Sequence, residues 1–179
     1  MIVVNLFGAP GAGKSTGAAY IFSKLKMAGV NAELVTEYAK DKVWEESKKT
    51  FENQAYIFGH QYFRISRCAD KVDVVITDSP ILLSIIYNND PALGKAFDEM
   101  VKQVHNSYKS YNYYLERVKP YNPVGRFQDE NGSNSLAKDI LTLAEGYCNH
   151  LDVATGDIKG YDYIVNDILN KLKNEKDAE

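Results

Sequence analysis

Residues 1–16 read MIVVNLFGAPGAGKST, and this stretch decides the fold. Ile2–Phe7 is a short, unbroken apolar run of the kind found in strands buried on both faces. "MIVVNLFGA" lacks the basic leader of a signal peptide and is expected to be a first strand. Gly8-Ala9-Pro10-Gly11-Ala12-Gly13-Lys14-Ser15 then matches G-x-x-x-x-G-K-[ST] at every fixed position. Such a loop packs poorly and costs conformational entropy, and a bound polyphosphate offsets that cost. Glycines at these positions let backbone N–H groups wrap a β-phosphate where a Cβ would block the approach. The helix expected from Lys14 turns its positive end toward the same anion. Lys14 then reaches the β- and γ-phosphates, Ser15 offers a hydroxyl to Mg²⁺, and Thr16 completes the cradle. The implied ligands are ATP and Mg²⁺.

Working outward, apolar β-branched runs alternate with helical patterns. A helix is expected to follow Lys14, with Gly29 as its C-terminal cap. Asn31–Glu37 is a second strand and residues 50–71 a long helix. Val72–Thr77 is the clearest buried strand and ends on Asp78. Ser79–Asn88 and Gly94–Ser107 have helical spacing. Tyr111–Val118 is a fourth strand, residues 119–134 a polar loop, residues 135–151 a helix, residues 152–155 a fifth strand and residues 161–174 a closing helix, although "YDYIV" also fits a strand. Strands alternating with helices imply a parallel sheet covered on both faces.

The whole chain bounds the alternatives. Its 179 residues fit one domain, 1–179, with a frayed tail from about 173. A net charge of −3 gives no global field to recruit nucleic acid or acidic lipid. Cys68 and Cys148 lack metal spacing and are expected as reduced thiols of a cytoplasmic protein. No apolar run reaches membrane-spanning length. His60, His105 and His150 lack metal partners at useful spacing.

A P-loop alone does not choose a reaction. Asp78, at the carboxyl end of a buried strand, is placed to hold Mg²⁺ or to accept a proton from an attacking hydroxyl, and also to cap a following helix. Glu37 ends the second strand at the same edge and is either an acceptor-binding acid or the start of a surface helix. Residues 118–132 are expected to form a lid in which Arg126, with Arg117 nearby, neutralises phosphoryl charge and excludes water. No guanine-reading N-K-x-D motif is present, and the chain is short for a two-part AAA+ motor. The aromatics of Phe51–Arg67 are expected mainly as core, with Arg64 and Arg67 as substrate candidates.

The P-loop, "VTEYAK", "VITDSP" and "KPYNPVGRFQDE" together resemble the small P-loop kinases related to ribosylnicotinamide kinase, especially compact kinases encoded by tailed bacteriophages. The resemblance implies a nucleoside-monophosphate-kinase sheet of order 2-3-1-4-5. It also implies ATP-dependent transfer of the γ-phosphate to a nucleoside-like or nucleotide-like hydroxyl, in the host cytoplasm if the chain is phage-encoded. Carried over to this sequence, Glu37 and Asp78 approach the acceptor hydroxyl and Arg126 the phosphates, with Gln128 and Arg117 beside it. A similar phage kinase phosphorylates 5-hydroxymethyluracil within DNA. Lys102, Lys109, Arg117, Lys119 and Arg126, interleaved with Tyr108, Tyr111, Tyr113, Tyr114 and Tyr121, keep that acceptor open. Strand tyrosines equally suit a core. A nucleotide-gated regulatory ATPase is the non-kinase alternative.

Overall fold

The computed structural model describes residues 1–39, 50, 53–121 and 130–177. Five parallel strands run in the order β2-β3-β1-β4-β5, the order expected. They are β1 (Ile2–Phe7), β2 (Ala32–Val35), β3 (Val74–Thr77), β4 (Lys109–Glu116) and β5 (Asp152–Thr155). The described helices are α1 (Lys14–Met27), α2 (Gln54–Ser66), α3 (Leu83–Tyr87), α4 (Gly94–Asn106), α5 (Glu130–Tyr147) and α6 (Ile158–Lys176).

β1 is flanked by β3 and β4, in register Ile2 with Val74 and with Lys109. Successive side chains of a strand point to opposite faces, so β1 feeds two cores. Val4 and Leu6 pack with Ile21 and Leu25 of α1 and Ile164 and Ile168 of α6. Val3 and Phe7 pack on the other face with Phe58 of α2, Leu83 of α3, Val101 of α4 and Ile140 of α5. Burying a Leu or Ile side chain contributes about 1.5–3 kcal/mol, so this double burial fixes where β1 ends and the phosphate loop begins. Asn5 is buried too, and its side-chain amide donates to Asn112 Oδ1 across the sheet at 2.9 Å.

Several element boundaries differ from those expected. The α1 helix ends in a Schellman arrangement: Ala28 caps it, Gly29 N–H donates to Lys26 O, and Val30 N–H donates to Leu25 O. The α2 helix starts at Gln54 because Asn53 caps it through Tyr56 N–H. β4 begins two residues early, since Lys109 pairs with β1 while its ammonium reaches Glu175 at 2.6 Å. Only Leu83–Tyr87 of the expected helix 79–88 is α-helical; a turn from Pro80 O to Leu83 N precedes it. The α5 helix starts at Glu130, inside the stretch expected as polar loop and lid, because Ser133 and Asn134 spend their side chains on Pro10 and Arg117 rather than on local turns. Residues 122–129 of that lid lie outside the described residues. "YDYIV" is helical, with Tyr161, Ile164 and Val165 buried on one face. The tail expected to fray at 173 stays helical to Lys176, held where Glu175 meets Lys109 and the Tyr111 hydroxyl.

Candidate active site

The Gly8–Thr16 loop joins β1 to α1 at the carboxyl edge of the sheet. Two of its glycines are required by geometry. Gly8 has φ +139°, and a Cβ there would sit 2.8 Å from Leu115 O. Gly13 has φ +92°, and its Cβ would sit 2.9 Å from Gly156 O. The loop is thereby pressed between the ends of β4 and β5. Tyr161 of α6 supports it from below, donating its hydroxyl to Gly13 O at 3.0 Å. The N-terminus of α1 carries no acid in its first turn and no side-chain cap, which leaves its positive end for an anion. Lys14 Nζ donates to Gly8 O at 2.7 Å and to Ala9 O at 3.1 Å, so the ammonium lies over the loop. Ser15 and Thr16 are exposed at the start of the helix.

Arg117 follows β4 and meets the tip of the loop. Its Nη1 donates to Ser133 Oγ at 3.3 Å and its Nη2 to Asn134 Oδ1 at 2.5 Å. Ser133 is fully buried and its hydroxyl donates to Pro10 O at 2.8 Å. The first turns of α5 are thus fastened to the phosphate loop. A cavity of about 170 Å³ opens beside it, between Ala9 and Ala12 of the loop, Leu115 and Arg117, and Asn134 and Ala137 of α5. Arg126 and Gln128 lie outside the described residues.

On the other side of the loop, Glu37 and Asp78 come together across neighbouring strands. Asp78, 3 % exposed, accepts the Glu37 backbone N–H on Oδ1 at 3.0 Å. It does not cap α3, whose capping position is Leu82. Three side chains outside the expected set also meet here. Gln61 Oε1 accepts the Tyr38 N–H at 3.0 Å. Gln61 Nε2 donates to Thr77 Oγ1 at 3.3 Å. Tyr87 is the third: burial, aided by the nearby Glu37 carboxylate, pushes its phenol up to about 12. Arg64 packs over the Tyr38 ring and donates to Thr36 O at 3.2 Å, while Arg67 caps α2. Of the α2 aromatics expected as core, Phe58 is buried, whereas Tyr56 and Phe63 are exposed because the helix covers the sheet with its Ile57–Gln61–Ile65 face.

Only part of the basic, tyrosine-rich stretch reaches this edge: Arg117 and Tyr121 stack against each other at the tip of the phosphate loop, beside Gly11. Lys109 lies at the start of β4, opposite the phosphate loop, paired with Glu175. Lys102 pairs with Glu99 at 2.7 Å. Tyr113 and Tyr114 are buried in the two cores. Lys119 is near enough to Asp157 to help hold that carboxyl below its usual range, after the Thr155 hydroxyl and the Gly160 N–H. Among the described residues, no His, Cys, Asp or Glu cluster of metal-binding size occurs, and no helix is long and apolar enough to cross a membrane. Cys68 and Cys148 are free thiols.

A family model described as an AAA domain matches residues 3–146, from β1 through most of α5. The chain belongs to this AAA-domain family. The match takes in the phosphate loop, both acids and Arg117. No curated protein sequence matches the chain. Among solved structures, the AAA-domain chain is similar to deoxyadenosine kinase from M. mycoides with bound dATP. The TM-score is 0.59 and the identity 19 %, over 96 % of this chain and 99 % of that one. The same enzyme with products dCMP and a flexible dCDP bound gives a TM-score of 0.56 at 18 % identity, with the same coverage. The P-loop sheet of order 2-3-1-4-5 is therefore a whole-chain likeness.

Proposed function

We propose that the protein is a P-loop kinase that transfers the γ-phosphate of ATP to a hydroxyl of a nucleoside-like acceptor. The observation that carries this reading is the arrival of two acidic residues at the edge that holds the phosphate loop, where the Glu37 backbone N–H donates to Asp78 Oδ1 at 3.0 Å. Phosphoryl transfer to an alcohol needs a group to receive the hydroxyl proton, and a second acid beside the metal-binding one can supply it. The whole-chain likeness to a deoxyadenosine kinase supports the same class.

In this reading the loop amides and Lys14 hold the β- and γ-phosphates, and Lys14 leaves its carbonyl partners to do so. Glu37 orients the acceptor hydroxyl and takes its proton. Arg117 faces the phosphates from the α5 side, and Arg126, outside the described residues, is assigned to the same phosphoryl charge. The Ser15 hydroxyl and the second oxygen of Asp78 are hard oxygen donors of the type Mg²⁺ prefers, and they would hold it. When bound, Mg²⁺ neutralises charge on the β- and γ-phosphates. A small acceptor is favoured over modified DNA, because Lys102 and Lys109 are tied to Glu99 and Glu175 away from the edge.

The test is acceptor KM against salt, measured with deoxynucleosides and with hydroxymethyluracil-containing DNA in parallel. Turnover of a free nucleoside with a flat salt response is expected. Turnover of DNA alone, with affinity falling steeply as counterions compete, would overturn the choice of acceptor.

A further inference from the structure

We infer that Gln61 is a positioning residue for Glu37: it fixes where the proton-accepting acid stands relative to Asp78. This inference rests on the proposed role of Glu37 and deepens it.

The chain leaves β2 at Val35, and Glu37 lies beyond the last sheet pairing, Val35 with Thr77. No ladder holds Thr36, Glu37 or Tyr38. Each is instead gripped through its backbone by a side chain from a neighbouring element. Arg64 takes the Thr36 carbonyl, Asp78 the Glu37 N–H, and Gln61 the Tyr38 N–H. The Asp78 grip belongs to a residue with another task, since a carboxylate that works on metal or proton changes its charge and partners. The Arg64 grip is longer and solvent-exposed, which makes it the weaker.

Gln61 differs from both. It is neutral, 4 % exposed, and bonded at both ends of its amide. One end holds Tyr38; the other holds Thr77, the residue before Asp78 and the last of β3. Thr77 Oγ1 also accepts the Ser79 N–H at 3.1 Å, so the same hydroxyl shapes the turn that presents Asp78. A single buried amide therefore spans the two strand ends that carry the two acids. A glutamine suits this place because it donates and accepts at once without titrating. Burial makes the geometry sharp, because an amide left half-bonded there costs more than one in water.

The experiment compares Gln61→Met, similar in length but without hydrogen-bonding groups, on the wild-type and Glu37→Gln backgrounds. It uses deoxyadenosine, or whichever deoxynucleoside turns over fastest, with kcat, both KM values and Tm recorded. On the wild-type background Gln61→Met should lower kcat by about ten- to a hundredfold with KM for ATP unchanged, the scale expected for a misplaced reacting group. On the Glu37→Gln background the same change should lower kcat less than about threefold, because residues acting as a unit are not additive. Equal losses on both backgrounds, or no loss in wild type, overturn the inference. Glu37→Gln with full activity instead overturns the role of Glu37 itself, so the two failures are distinct. If Gln61→Met does not fold, Gln61→Glu decides. It still accepts the Tyr38 N–H but as a carboxylate cannot donate to Thr77 Oγ1, so the same background-dependent loss of kcat is expected. Equal losses on both backgrounds, or no loss in wild type, would overturn the inference.

Discussion

Asp78→Asn separates chemistry from architecture at this site. The substitution is nearly isosteric, and an asparagine oxygen can still accept the Glu37 N–H that Asp78 accepts at 3.0 Å. What changes is the charge of the acceptor. A hydrogen bond to a charged group contributes about 1.5–3 kcal/mol and a neutral one about 0.5–1.5, so the expected stability loss is about 1 kcal/mol. For a chain of this length that lowers Tm by about 2–4 °C. The chemical loss is larger. A carboxylate that works as proton acceptor or as a metal-directed oxygen contributes about 10²–10⁴ in rate, or roughly 3–5 kcal/mol of barrier. Turnover should therefore collapse in a protein that melts almost where the wild type does. The assay is steady-state transfer of labelled γ-phosphate at 25 °C beside a melting curve on the same preparation. Turnover within threefold of wild type together with a Tm drop above about 8 °C would refute the reasoning and make Asp78 a structural residue.

Further perturbations read other parts of the site. Lys14→Ala should leave Tm within a few degrees and lower kcat by about 10²–10³, the loss expected for one preorganised cation at a developing charge, as checked by the same transfer assay. Gly13→Ala forces a side chain into a φ of +92° and against Gly156 O, so it should lower both Tm and ATP affinity, measured by melting and by calorimetric titration. His105 is buried in α4 and its pKa is lowered by that burial. The folded state thus binds fewer protons than the unfolded state, whose histidine titrates near ~6.5. Its contribution is present above that pH and is lost as pH falls toward the folded pKa. Tm should drop between pH 7.5 and 5.5, and His105→Gln should flatten that part of the curve.

The phosphate loop was legible because its information is local. Strand, glycines, lysine and helix follow one another, and each residue type has a steric or electrostatic reason to stand where it does. A parallel sheet with Glu37 and Asp78 at its carboxyl edge followed from the alternation of buried runs and helices, whereas the strand order came from the family resemblance. What stayed hidden depends on contacts between ordinary residues far apart in sequence. Gln61 reads as one polar position on an aromatic helix, and only folding brings it between Tyr38 and Thr77. Ser133 and Asn134 carry turn-forming side chains, yet they stand inside α5 because Pro10 O and Arg117 take those side chains up. The tyrosines of β4 read equally as core or as a nucleic-acid platform; their burial between two helical layers favours core. Phe63 shows the opposite error, since helical spacing alone does not say which face meets the sheet.

The central claim is transfer to an alcohol rather than to water, and partitioning of the γ-phosphate tests it most directly. Wild-type protein is incubated with γ-labelled ATP, Mg²⁺ and a deoxynucleoside, and the label is divided between nucleoside phosphate and inorganic phosphate, with Lys14→Ala as the control. The account predicts that most label appears on the nucleoside, that it depends on acceptor concentration, and that it vanishes in the variant. Label found only as inorganic phosphate, at a rate indifferent to every acceptor offered, would contradict it.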